Sequence, residues 1–412
     1  MAGTRSTWLP NRVPEQYLII GAVVISTFFI GFGGGVIFPI LPNLGDVIGI
    51  SPFVVGIILS ANRFSRLFAN APAGALTDRI GTRTPMVIGM AIQAGATAGY
   101  VVAMVAPFPE GWFFSARVLW GIGSALVFAT AYTIAADVSD SSSRGASMGL
   151  IRGGVLFGFP SGVVVGGVVS ELAGDITAFI LATAFAILAT VISYILIPET
   201  HVDDRTRTSV KPWDVDTSKV AVTVGLVNFA VLFVYIGALF ASLVLFLDVR
   251  ELSVFGLGPQ GSSGIFMAVT VIAAGLFMFV GGHVSDRSES RVPVLVTCLV
   301  VLCVGFVLLA SANSLFTLTV ACLLIGAGQG GVSGPLMALL ADLTPSDEIG
   351  RAVGTNNVLG DVGGGLGPVI TLPIIDVVGF WPVYLACAAI PAIAAILLLG
   401  GVFQEQRSGV PS

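Results

Sequence analysis

Histidine, cysteine and charge are all scarce in this chain, and each shortage excludes something. The only two histidines, His201 and His283, stand in a central polar linker and at the end of an apolar run. A hydrolase or metalloenzyme working inside a membrane needs clustered His, Asp or Glu, or a Ser or Cys activated by a neighbouring base. An enzyme is therefore not expected, nor is a metal or cofactor. The four cysteines, Cys298, Cys303, Cys322 and Cys387, all fall inside apolar runs of the second half, with no metal-ligand spacing, and read as free buried thiols. Charged residues form 10% of the chain, against about 25% in ordinary globular domains, which excludes a soluble fold. The net charge of −5 is spread over loops and offers no basic surface to nucleic acid. No loop exceeds the short linker, so a sensor's soluble output domain has no place.

What is abundant is apolar. Hydrophobic residues make up 55% of the chain, and 52 glycines permit the close helix crossings that packing in lipid favours. At about 20 residues per crossing, the apolar runs predict spans near residues 17–41, 52–76, 85–105, 112–136, 145–170 and 176–197. After a polar segment, six more run near 220–247, 262–284, 292–310, 315–341, 351–375 and 380–402. The first run is longer than a signal-peptide core and no convincing cleavage site follows it, so it is expected to be retained. The fold class is an all-α polytopic membrane protein, with twelve transmembrane helices in two pseudo-symmetric six-helix bundles. The bundles are assigned to 1–198 and 220–412, joined by a linker at 199–219 that has room for a short surface helix. Arg79, Arg83, Arg144, Arg287, Arg291 and Arg351 share one side, whereas Arg250 lies in a loop on the other. The positive-inside bias then puts both termini in the cytoplasm.

A charged hinge occurs twice. Gly74, Asp78, Arg79, Arg83 and Pro85 recur as Gly282, Asp286, Arg287, Arg291 and Pro293, at an offset of 208 residues, about half the chain. The aspartate ends a span where a neighbouring helix N-terminus attracts it, and the arginines can reach carbonyls or carboxylates. Such a clasp forms in one helix packing and is lost in another. The doubled pattern resembles the signature loop of the major facilitator superfamily, between spans two and three and between eight and nine. Glu289 departs from it, standing where the first copy has Gly81. The resemblance implies a monomeric secondary transporter of the cell membrane, working by alternating access, with the two hinges as gating elements that hold the cytoplasmic side closed.

Further resemblances follow along the chain. Span four carries Arg117, Gly121 and Ser124 on one face, similar to the family's arginine motif of proton-coupled carriers; the alternative is that Arg117 snorkels to the outer interface. Span five, with Gly158, Pro160, Gly162, Gly166 and Gly167, resembles the glycine-proline motif of drug:proton antiporters, although such glycines also serve a kink or tight packing. Span one lacks the acidic residue that many cationic-drug exporters place there.

Five charges fall within spans: Arg63, Arg66, Arg117, Arg152 and Asp361. An arginine facing lipid costs about 2.5–3.5 kcal/mol near mid-helix, so these should line a wet cavity or be paired. At 100° per residue, Asn62, Arg63, Arg66 and Asn70 form one polar face of span two, and Asn357, Asp361, Gly364 and Pro368 one face of span eleven. The family resemblance implies that these spans pack together, bringing Arg63 or Arg66 toward Asp361. The pair is either structural or part of a substrate and proton pathway, with Asn228, Tyr235 and Gln329 as further wall residues. One carboxylate cannot neutralise four guanidiniums, which leaves room for an anionic ligand. The expected partners are a small-molecule substrate, a proton coupled through Asp361, and the lipid bilayer. The expected function is proton-coupled efflux of a small organic solute, the alternative being uptake of an organic anion.

Overall fold

The computed structural model describes residues 15–139, 144–200, 216–345 and 348–402, and all regular structure among them is helical. The first half holds α1 (Glu15–Val36), the short α2 (Leu41–Ile48), α3 (Pro52–Ile80), α4 (Arg83–Ala103), α5 (Pro109–Val138), α6 (Arg144–Ala173) and α7 (Asp175–Leu196). The second holds α8 (Lys219–Leu232), a π-helical stretch (Phe233–Phe240) running into α9 (Ala241–Val249), then α10 (Pro259–Arg287), α11 (Val292–Ala310), α12 (Leu315–Leu343), α13 (Ile349–Val378) and α14 (Phe380–Gly401). Eleven stretches of the described residues are long and apolar enough to cross a membrane. The twelfth crossing is α3, which has the length, at 29 residues, but carries Asn62, Arg63, Arg66 and Asn70 in its middle.

Local sequence sets most boundaries. Pro52, Pro109 and Pro259 open α3, α5 and α10, where a missing N–H costs nothing. Ser51, Ser218 and Ser314 cap α3, α8 and α12 with side-chain oxygens. One span departs from expectation: the seventh is not a single α-helix, because its centre widens to i→i+5 pairing at Phe233–Phe240. Such widening is rare and recurs at functional sites. Here it lays Gly237 against the backbone of Gly367 on α13, leaving no room for a Cβ.

Within the first half α1 packs on α6, and α5 on α3 and α4; within the second α12 packs on α10 and α11, and α13 on α8. The halves meet along two long seams, α3 with α13 and α6 with α10, and at a smaller contact between α2 and α9. Large aliphatic side chains such as Ile180, Ile187 and Ile195 of α7, Val300, Val304 and Val307 of α11, and Ile396 of α14 point outward. An apolar exterior is what a helix bundle presents to lipid.

The seams are closed on one side only. On the side away from the termini, Gly264 and Gly167 of α10 and α6 lie against backbone of Val163 and Gln260, and Phe38 and Phe159 of the first half meet Phe240 of the second with ring centroids 6.0 and 5.7 Å apart. Toward the terminal side the same helices separate. Phe68, Asn70 and Pro72 of α3 are exposed, as are Arg152 of α6 and Asn357 of α13. The molecule therefore holds a vestibule open toward the termini. Glu199 and Thr200 bond to the first half through Thr82, and Asp216 to the second through Thr355. The surface helix considered for the linker, and His201 with it, lie outside the described residues.

Candidate functional site

At the top of the vestibule the α3–α13 seam is built from small residues. A Cβ on Gly56 would come within 2.6 Å of the Pro368 carbonyl oxygen, so only glycine allows the backbones this close. One turn on, Ser60 Oγ donates to the Gly365 carbonyl at 2.5 Å. One further turn brings the charges together. Arg63 Nη1 donates to Asp361 Oδ1 at 3.2 Å, and Arg66 Nη2 donates to the same oxygen. Gly364 makes room for this, because a Cβ there would lie 3.0 Å from the Arg63 guanidinium carbon. The side chains of Arg63 and Asp361 are only 14% and 12% exposed, Arg66 24%, so Arg66 is the member nearest the open vestibule. Two guanidiniums on one carboxylate leave a net positive charge at the joint between the halves.

Arg117 does not snorkel. Its side chain is buried (1% exposed), with Nε donating to the Ile58 carbonyl at 3.3 Å and Nη2 to the Leu59 carbonyl at 2.8 Å and to Asn62 Oδ1 at 2.5 Å. Its guanidinium also lies 5.8 Å from the Trp120 ring centre. It thus reaches sideways from α5 to α3, and Asn62 serves Arg117 rather than facing the vestibule alone. Arg152 is exposed on the face of α6 that looks toward the second half, because Leu156, one turn on, packs beside Gly275 of α10.

The remaining wall candidates scatter. Asn228 donates to the Asn356 carbonyl at 3.0 Å and packs on Gly360, bracing α8 against α13. Tyr235 is buried inside the second half, its ring 5.1 Å from Phe240. Gln329 donates to Ser333 on its own helix at 3.1 Å. Asn357 is exposed on the vestibule end of α13.

The two hinges are held from within their own halves in this conformation. Arg83 donates to the Tyr194 carbonyl at 2.8 Å, and Glu199 accepts from the Thr82 and Arg83 backbone N–H groups at the start of α4. Gly81, at φ +88°, takes the left-handed turn that sets Thr82 against Glu199. Asp78 and Arg79 are exposed, and Asp78 makes no hydrogen bond or ion pair with another described residue. In the second copy Arg291 binds Asp342 of α12 and Asp286 at 2.7 Å, and hydrogen bonds to these two carboxylates raise its pKa. Arg287 is exposed, and Gly74 and Gly282 have open space beside them. Four contributors carried no sequence signal: Ser60, Phe240 and Phe159 as ordinary apolar-run residues, and Glu199 as a linker residue. Among the described residues no group of three His, Cys, Asp or Glu could hold a metal.

The sequence matches the profile of the Major Facilitator Superfamily over residues 23–368 and again over 258–410. It is 25% identical over 382 residues to the multi-drug resistance efflux pump PmrA of Streptococcus pneumoniae, covering 90% of this chain and 93% of that protein. An uncharacterized MFS-type transporter, C18.02 of Schizosaccharomyces pombe, is 32% identical over 196 residues, which span 46% of this chain and 43% of that relative. A bacterial homolog of the human lysosomal transporter Spinster, solved in an inward-facing and occupied conformation, superposes with a TM-score of 0.79 at 16% identity, over 96% of this chain and 99% of that one; this likeness concerns the fold. With the profile spanning nearly the whole length and twelve helices duplicated about two seams, the chain belongs to the major facilitator superfamily of transporters.

Proposed function

We propose that this transporter exports a small organic solute from the cytoplasm by alternating access, driven by protons that load and unload at Asp361. The observation that carries this reading is the single carboxylate oxygen shared by Arg63 and Arg66 across the joint between the halves. While Asp361 is ionised, both guanidiniums hold α3 against α13. Protonation removes the charge they bind, so a proton arriving at Asp361 loosens one seam and biases the halves toward their alternative packing. The terminal side, read as cytoplasmic, is where the solute enters the open vestibule. Likeness to the efflux pump PmrA along most of both chains supports the outward direction.

The test uses reconstituted vesicles with an imposed pH gradient and a panel of fluorescent solutes. Asp361→Asn should abolish gradient-driven accumulation while sparing downhill exchange. Accumulation that survives in Asp361→Asn removes the coupling role from this residue.

A second reading, uptake of an organic anion, is favoured by one observation: Arg66 and Arg152 leave positive charge on the vestibule that Asp361 does not balance. Accumulation of anionic rather than neutral solutes, against the outward direction, separates the two readings.

A further inference from the structure

On the side away from the termini, directly over the closed seam, lies a cavity of about 330 Å³, within the range of about 300–1,000 Å³ that small-molecule sites occupy. Both halves build it. Pro42 and Val55 come from the first half, and Leu245 of α9 and Phe380 of α14 from the second. The wall is thus mainly apolar, with two exceptions, Asp248 in the last turn of α9 and Asp376 in the last turn of α13. A carboxylate in the last turn of a helix is disfavoured by the helix dipole. Neither aspartate pairs with a cation among the described residues. The one nearby arginine, Arg250, is turned away, donating to Asn313 at 2.8 Å and lying over the Phe246 ring. A cavity of drug size therefore carries two exposed carboxylates, unpaired among the described residues, in an otherwise apolar lining, on the opposite side of the molecule from the arginine-rich vestibule.

We infer that this cavity is a binding site for a lipophilic organic cation arriving from the far side of the membrane, and that its occupant locks the transporter in the conformation seen here. The apolar body of the ligand fills the space between the halves, and Asp248 and Asp376 supply the counter-charge. Because the lining comes from both halves, the site exists only while this side is closed. A ligand that binds one conformation alone shifts the population toward it, so the cation acts as a non-competitive inhibitor with the vestibule still open. The site shares no residue with the Asp361 site, so its charges and its lining can be changed without touching the proposed proton-coupling carboxylate.

Tetraphenylphosphonium and tetraphenylborate share shape and oppose in charge, which makes them the probes of choice. Equilibrium dialysis on the full-length protein in lipid nanodiscs, corrected against empty discs, reads their binding. Tetraphenylphosphonium should bind the wild type and tetraphenylborate should not. Asp248→Asn with Asp376→Asn should weaken cation binding roughly tenfold, the scale of two partly exposed charge contacts, with an unchanged melting temperature. Val249→Trp, at an exposed lining position, keeps both charges but fills the space, and should also block binding. Spin-label distances across the terminal side should lengthen with tetraphenylphosphonium in the wild type but not in the double variant. The inference is overturned by a wild type that binds no cation, or by wild-type affinity in the double variant or in Val249→Trp.

Discussion

Ser60 of α3 donates its hydroxyl to the backbone carbonyl of Gly365 on α13, one turn from the point where Arg63 meets Asp361. A side chain of one half thus bonds the main chain of the other at a place where glycine keeps them in touch. Ser60→Ala should lower stability by about 0.5–1.5 kcal/mol, the net worth of one such bond. It should also shift the population toward opening on the side away from the termini. Cysteine cross-linking across the α3–α13 seam checks it: unchanged efficiency in Ser60→Ala would assign the bond no part in closure.

Arg66 donates to Asp361 from the vestibule side and is the more exposed of the two arginines. Arg66→Lys keeps the charge but replaces the long planar guanidinium, which reaches Asp361 through Nη2, with a point charge on a shorter reach. Transport should fall several-fold, with stability reduced by about 1 kcal/mol because the pair is partly solvated. Replacing both Arg63 and Arg66 with Leu strands Asp361 without a partner, and should cost about 3–5 kcal/mol at the buried limit. Thermal unfolding with a transport assay reads both. A double variant with wild-type melting and transport would remove both residues from the site.

Arg117 makes three hydrogen bonds to α3 while buried in the first half. Arg117→Lys cannot reach all three acceptors, and should destabilise the protein by about 1.5–3 kcal/mol, the range for hydrogen bonds from charged groups. An unchanged melting temperature in Arg117→Lys would contradict that anchoring role.

Asp78 is exposed in the conformation open toward the termini, while Glu199 holds the neighbouring turn. Asp78→Asn should therefore leave the melting temperature of this conformation unchanged, yet reduce cross-links that report closure of the terminal side. Glu199→Gln should do the reverse, lowering stability by about 1–3 kcal/mol through loss of charge-assisted bonds to Thr82 and Arg83. If Asp78→Asn leaves closure untouched, the hinge aspartate is no part of the gate.

Much of this was legible before any coordinates. Spans, duplication and the polar faces of α3 and α13 follow from local rules: an apolar run must be about 20 residues long to cross, and side chains 100° apart return to one face every third or fourth position. Arg63, Arg66 and Asp361 stood out because an ion in an apolar run has few places to go. The family resemblance implied that Arg63 or Arg66 approaches Asp361; which atoms meet was decided by tertiary structure alone. Arg63 and Asp361 are nearly 300 positions apart, and their sharing of one oxygen with Arg66 depends on how two bundles dock at Gly56, Ser60 and Gly364. It also turned Arg117 inward to carbonyls that carry no sequence signature, and assigned Asn228 to bracing α13. Phe38, Phe159 and Phe240 could not be told from lipid-facing phenylalanines, because lipid tails are as apolar as a neighbouring helix and hydropathy is blind to the difference.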